Sequence, residues 1–244
     1  WWPFLRIGGL LWAMPLFGDQ LTVVRVRLLL ALALAALMAP MLPDMPVVDP
    51  LSLSAFVLAA EQLLLGLLLG LMLHMLFTVM SLLGQILSLQ MGLAMGIMND
   101  PSNGQAVLLM GQLLIMLAAF LFFIFDGHLV AIDIIVESFF TWPPGQSIYA
   151  LELSRLLSLF GWVFASALLL AIPAVIAMLI VNMTFGVMNR SAPSLNIFAL
   201  GFPLSMLMGL VSLLLTVAGV PGLYSEFTGY VLDEMRSLVG GGAP

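Results

Sequence analysis

The sequence predicts an all-α, hydrophobic, membrane-type protein built from long kinked helices and helical hairpins. Three observations carry this. Apolar residues make up 63% of the 244 residues and charged residues only 7%, where a soluble domain carries about 25%. A soluble domain of this length would have too few polar groups to cover its surface, so most of the surface faces lipid or other apolar protein. No segment shows the period-two alternation of a membrane β-strand, and helices are the remaining way to satisfy backbone groups in an apolar medium. The mean hydropathy of +1.23 agrees.

The first apolar helix runs over 2–17 and ends at Gly18-Asp19. The chain opens at Trp1 in mid-run without Met, which we read as a trimmed N-terminus rather than a removed signal peptide. Residues 25–42 give the second helix, and Arg25 and Arg27 form the basic pair that places their turn on the cytoplasmic side. Three prolines between Pro43 and Pro50 impose a loop. Residues 51–100 contain no proline and would extend roughly 75 Å as one helix, against a hydrocarbon core of about 30 Å. The segment either folds back near Gly84 or is one long helix that leaves the bilayer, and we expect a long helix or two joined by a kink.

Asp100-Pro101 breaks that run, and 105–125 form the next helix up to Asp126-Gly127-His128. A helix over 129–140 ends at Trp142-Pro143-Pro144-Gly145. Residues 151–188 are long and apolar with a kink expected at Pro173. We expect 189–203 to be a polar connector, 204–219 an apolar helix, and 223–239 a shorter, more polar one. There is no internal repeat and no polar linker.

Several function classes are excluded. The formal net charge of −6 leaves no basic footprint for nucleic acid. With no Cys there is no thiol chemistry, and two His 54 residues apart make no metal site. No HExxH, GxSxG or P-loop pattern is present. We therefore assign no catalytic, cofactor-binding or metal residues and do not read an enzyme.

Polar patterning singles out other residues. His74, Thr78, Ser81, Gln85 and Ser88 are spaced 4, 3, 4 and 3 apart, one face of a helix, with Gly92 continuing the series. Such a row avoids lipid, so it is either a helix–helix interface or the lining of a water-filled path. Gly66/Gly70 and Gly92/Gly96 are GxxxG pairs that let helices approach closely. Met91, Met95 and Met98 stand at helical spacing before Asn99-Asp100-Pro101. Met conforms to irregular surfaces, so this run is either core filling or a compliant seal. Asp126 and His128 are either a helix end or a proton relay, and Asp133 and Glu137 share a wet helix face. The connector Asn189, Arg190, Pro193, Asn196, Phe198, Gly201, Phe202 and Pro203 is either an ordinary turn or a docking tip.

In order and spacing, Asp100-Pro101, Gly127-His128, Glu137-Ser138-Phe139, Pro143-Pro144-Gly145, Asn189-Arg190, Pro193, Asn196, Phe198 and Gly201-Phe202-Pro203 resemble the FliR family of type III export-gate subunits. The likeness covers nearly the whole chain. It departs at Asp126, where Asn is frequent in the family, and at Leu129, where His often stands. The resemblance implies a subunit of a helical hetero-oligomer with FliP-type, FliQ-type and FlhB-type partners in the flagellar basal body at the bacterial inner membrane, passing unfolded export substrates. It implies a FliP-like region over 1–150 with a plug near 91–104, and a FliQ-like hairpin with a C-terminal helix over 151–244. Met91, Met95, Met98, Asn99, Asp100 and Pro101 would form the plug, and the connector would dock. The injectisome equivalent and a self-contained secondary transporter are the rival readings.

Overall fold

The computed structural model describes residues 1–17, 23–49, 51–92, 109–146, 153–191 and 197–240, with helices and short 3-10 turns and no strand among them. The helices are α1 (Trp2–Ala13), α2 (Val24–Met38), α3 (Leu53–Gln90), α4 (Leu109–Ile124), α5 (Gly127–Thr141), α6 (Leu153–Ser191), α7 (Ile197–Val217) and α8 (Val220–Gly240). By length and composition 24–41, 53–90 and 154–188 could each cross a membrane.

Local chemistry sets most ends. Pro3 sits in the first turn of α1, where its missing N–H costs nothing. Met14 turns extended and donates its N–H to the Leu10 carbonyl at 3.0 Å, ahead of Pro15. The proline-rich stretch from Pro43 is non-helical. Arg25 and Arg27 lie inside the first turn of α2, not in a turn before it, and Arg27 is buried.

Among its described residues the long segment is one unbroken 38-residue helix. Gly84 is a crossing point and not a kink: a Cβ there would lie 2.5 Å from Gly111 Cα and 2.7 Å from the Met110 carbonyl oxygen of α4. The helix stops because Gly92 adopts φ 73°, the left-handed conformation that commonly follows a helix end. Gly92 is thus a terminator and does not continue the polar row.

The break at Asp126-Gly127 bends α4 against α5 by 67°. Asp126 takes φ 55°, which Asp tolerates better than most side chains. A matching bend of 59° separates 203–217 of α7 from α8. Pro173 lies inside α6 and Pro203 inside α7 without breaking either helix. In apolar surroundings neighbouring groups re-satisfy the carbonyl that proline leaves free. This corrects the expected connector: Asn189 and Arg190 belong to α6, and Phe198, Gly201, Phe202 and Pro203 to α7.

The chain groups into two packed units. One comprises Trp1–Phe77, Phe122–Phe160 and Glu226–Pro244, the other Thr78–Leu121 and Gly161–Ser225. In the first, α1 lies directly on α3. A Cβ on Gly66 would collide with the Arg6 carbonyl, and one on Gly70 would lie 2.5 Å from the Leu10 carbonyl oxygen. In the second, α6 and α7 flank a groove lined by Leu169, Pro173, Ala177, Met208, Val211 and Leu215.

Candidate functional site

The middle of α3 buries most of its apolar residues and leaves part of its polar row open, while its first turns expose Leu53, Phe56, Val57 and Leu64. Met72, Leu76, Val79, Met80, Leu83 and Leu87 are all buried. His74 and Gln85 are exposed, and Thr78 and Ser81 half-buried. An isolated lipid-facing helix would do the reverse. His74 Nδ1 lies 3.0 Å from the Ala13 carbonyl oxygen. Gln85 Nε2 donates to Ser81 Oγ at 3.2 Å. Ser88 is fully buried, and its Oγ has no hydrogen-bond partner among the described residues.

Of the methionine run, Met91 is described and is 1% exposed. Its side chain lies against Gly209 of α7. Met95, Met98, Asn99, Asp100 and Pro101 lie outside the described residues. In the connector, Arg190 is exposed in the last turn of α6, Pro203 is exposed inside α7, and Pro193 and Asn196 lie outside the described residues.

Sequence reasoning did not single out Arg6, the most elaborate polar site in the first unit. Arg6 is 0% exposed. Its Nε donates to Gln62 Oε1 at 2.8 Å. Nη1 donates to the Ser138 carbonyl at 2.7 Å and to Ser138 Oγ at 2.8 Å, and Nη2 to the Trp142 carbonyl at 2.9 Å. Its guanidinium carbon stands 4.0 Å over the Phe139 ring, a cation–π contact. These carbonyls close the end of α5, where the helix dipole favours a cation. Burial lowers the guanidinium to about 9, so it stays charged at neutral pH. The available signal was a lone Arg in an apolar helix, which needs internal acceptors.

The carboxylates on α5 are paired. Arg236 of α8 lies 3.7 Å from Asp133 and 3.8 Å from Glu137, and also 3.9 Å from Asp233. Next to them Arg155 meets Glu234 at 3.4 Å and Ser237 at 3.1 Å. His128 meets Phe123 at a tilt of 53°, with ring centroids 5.0 Å apart. It lines an almost wholly apolar cavity of about 160 Å³ with Ile7, Leu34 and Ile135, while Asp126 is exposed at its turn. That geometry suits a helix end.

Comparison with known proteins gives consistent matches. The family model described as bacterial export proteins, family 1, matches residues 1–230. The flagellar biosynthetic protein FliR of Escherichia coli is 34% identical over 244 residues, covering 98% of this chain and 90% of that protein. That of Pectobacterium carotovorum is 32% identical, covering 98% and 91%. The secretion system apparatus protein SsaT of Salmonella typhimurium is 28% identical over 110 residues, covering 44% and 42%.

Proposed function

The chain belongs to the bacterial export proteins, family 1, and is a type III export-gate subunit; from that premise we propose how its parts serve the gate. It forms part of the closed conduit for unfolded substrates in the flagellar export apparatus and performs no catalysis. Its partners are FliP-type, FliQ-type and FlhB-type subunits in the basal body at the inner membrane. Residues 1–150 play a FliP-like part and 151–244 a FliQ-like part. The stretch Met91–Pro101 closes the path, and Asn189–Pro203 docks on a neighbouring subunit.

The observation that carries this reading is the inverted polarity of the middle of α3. Between 72 and 87 this helix hides Met, Leu and Val within its own chain and turns His74 and Gln85 outward, which suits a face that meets protein or water and not lipid. Its exit residue, Met91, begins the proposed seal. Deleting 93–99 should raise small-ion leakage in cells that carry the assembled apparatus. Unchanged permeability with normal assembly would sink the seal.

A further inference from the structure

Helices α1, α2 and α5 of the first unit wall a cavity of about 160 Å³. Its floor is Ile7 and Leu10 of α1, Met38 of α2, and Ala131 and Ile135 of α5, all buried. Its rim is Leu30 and Leu34 of α2 and Ile132 of α5, all half-buried. Around the rim α2 exposes Leu29 and Leu32, so the way in is as apolar as the floor. His128, half-buried in the first turn of α5, is the one polar side chain among the described lining residues. Its Nδ1 is shut off from solvent and has no hydrogen-bond partner among the described residues.

Size and chemistry narrow the occupant. A void of roughly 150 Å³ lined by Leu, Ile and Phe takes a ring as large as benzene. Water needs about two to four polar partners and would find His128 alone. A lipid acyl chain gains little by entering, because the hydrocarbon it leaves is as apolar as the cavity. A ring that carries one hydroxyl gains what hydrocarbon cannot offer, a hydrogen bond to the imidazole. The torsion that orients a His ring is soft, so the ring can turn its unpaired nitrogen toward an occupant. A hydroxyl both donates and accepts, so it satisfies either tautomer. We propose that this cavity is a binding site for a phenol-class molecule, a single apolar ring bearing one hydroxyl. The ring is buried among α1, α2 and α5, and the hydroxyl pairs with His128 Nδ1. The site is independent of how the gate closes.

The test uses the tagged full chain, with the subunits it retains, in phosphatidylcholine nanodiscs. The probes are para-fluorophenol and fluorobenzene, followed by fluorine NMR, and empty nanodiscs give the partition background. Para-fluorophenol should bind saturably and about tenfold more tightly than fluorobenzene, the size of one hydrogen bond. Ala131→Leu fills the floor and should abolish saturable binding of both probes. His128→Leu should keep the affinity for fluorobenzene and bring para-fluorophenol down to it. Melting temperature and recovery of partner subunits report whether each variant is folded. If Ala131→Leu does not fold, Leu34→Trp, which closes the rim, replaces it. If His128→Leu does not fold, His128→Phe, which keeps a ring against Phe123, replaces it. The comparison of the two probes on the unaltered chain stands whatever the variants do. Para-fluorophenol that binds no more tightly than fluorobenzene, or shows no saturable binding, overturns the proposal. So does a folded His128 variant that keeps the preference, or a folded, filled cavity that binds as wild type does.

Discussion

Arg6 and Ser138, 132 positions apart, meet through two hydrogen bonds from one guanidinium nitrogen, to the Ser138 carbonyl at 2.7 Å and to its hydroxyl at 2.8 Å. The pair ties the N-terminal helix α1 to the last turn of α5. Every hydrogen-bond acceptor named around Arg6 is neutral, so the cation is held by carbonyl dipoles and the helix end, not by a counter-ion.

Arg6→Ala should destabilise the first unit by about 3–5 kcal/mol, because buried acceptors lose a charged donor. Arg6→Lys should recover only part, since one ammonium cannot serve four acceptor atoms arranged around a planar fork. Gln62→Leu should cost about 1–3 kcal/mol by orphaning Arg6 Nε. Thermal denaturation of the detergent-solubilised assembly checks the order. Equal stability of Arg6→Ala and wild type would contradict it.

The ion pairs of Arg236 are expected to matter little. Arg236 is 44% exposed, and Asp133 and Glu137 are more so. Such pairs are screened and contribute about 1 kcal/mol or less. Arg236→Gln should lower the melting temperature only slightly, and the gap from wild type should close in high salt.

The crossing of α3 and α4 is asymmetric. A Cβ at Gly84 meets backbone at 2.5–2.7 Å, whereas at Gly111 the nearest atom is Ser81 O at 3.6 Å. Gly84→Ala should therefore impair assembly, and Gly111→Ala should be close to neutral. Recovery of partner subunits with each tagged variant distinguishes them, and equal effects would place the helices further apart than they are here.

The polar row separates its two readings by a single change. Gln85→Leu removes the hydrogen bond to Ser81 and the exposed amide of α3. If the row is a subunit interface, assembly falls. If the row lines a path, assembly is normal and ion leakage changes.

Much of the fold was legible because its breaks are written in residue types with few alternatives. Asp126-Gly127 and Trp142-Pro143-Pro144-Gly145 end helices as their chemistry dictates, and the stretch from Pro43 to Asp49 is non-helical. The ends around 189–203 are not legible, because proline reads as a breaker in sequence whereas in apolar surroundings Pro203 stays within α7. The role of Gly84 is not legible either, since sequence does not reveal that Gly111 lies against it. The GxxxG signal at Gly66 and Gly70 was legible as close approach; that the approaching backbone is that of Arg6 and Leu10 was not. Arg6 itself was passed over because its partners are 56, 132 and 136 residues away, and no local spacing encodes them. The pairing of Asp133 and Glu137 with Arg236 was hidden for the same reason.

The central claim is that this chain works as one subunit of a larger export gate, and native mass spectrometry of the tagged chain, released gently from its own cells, tests it most directly. The expected result is a large complex holding several copies of two smaller hydrophobic subunits. A monomer or small homo-oligomer without such partners would contradict it.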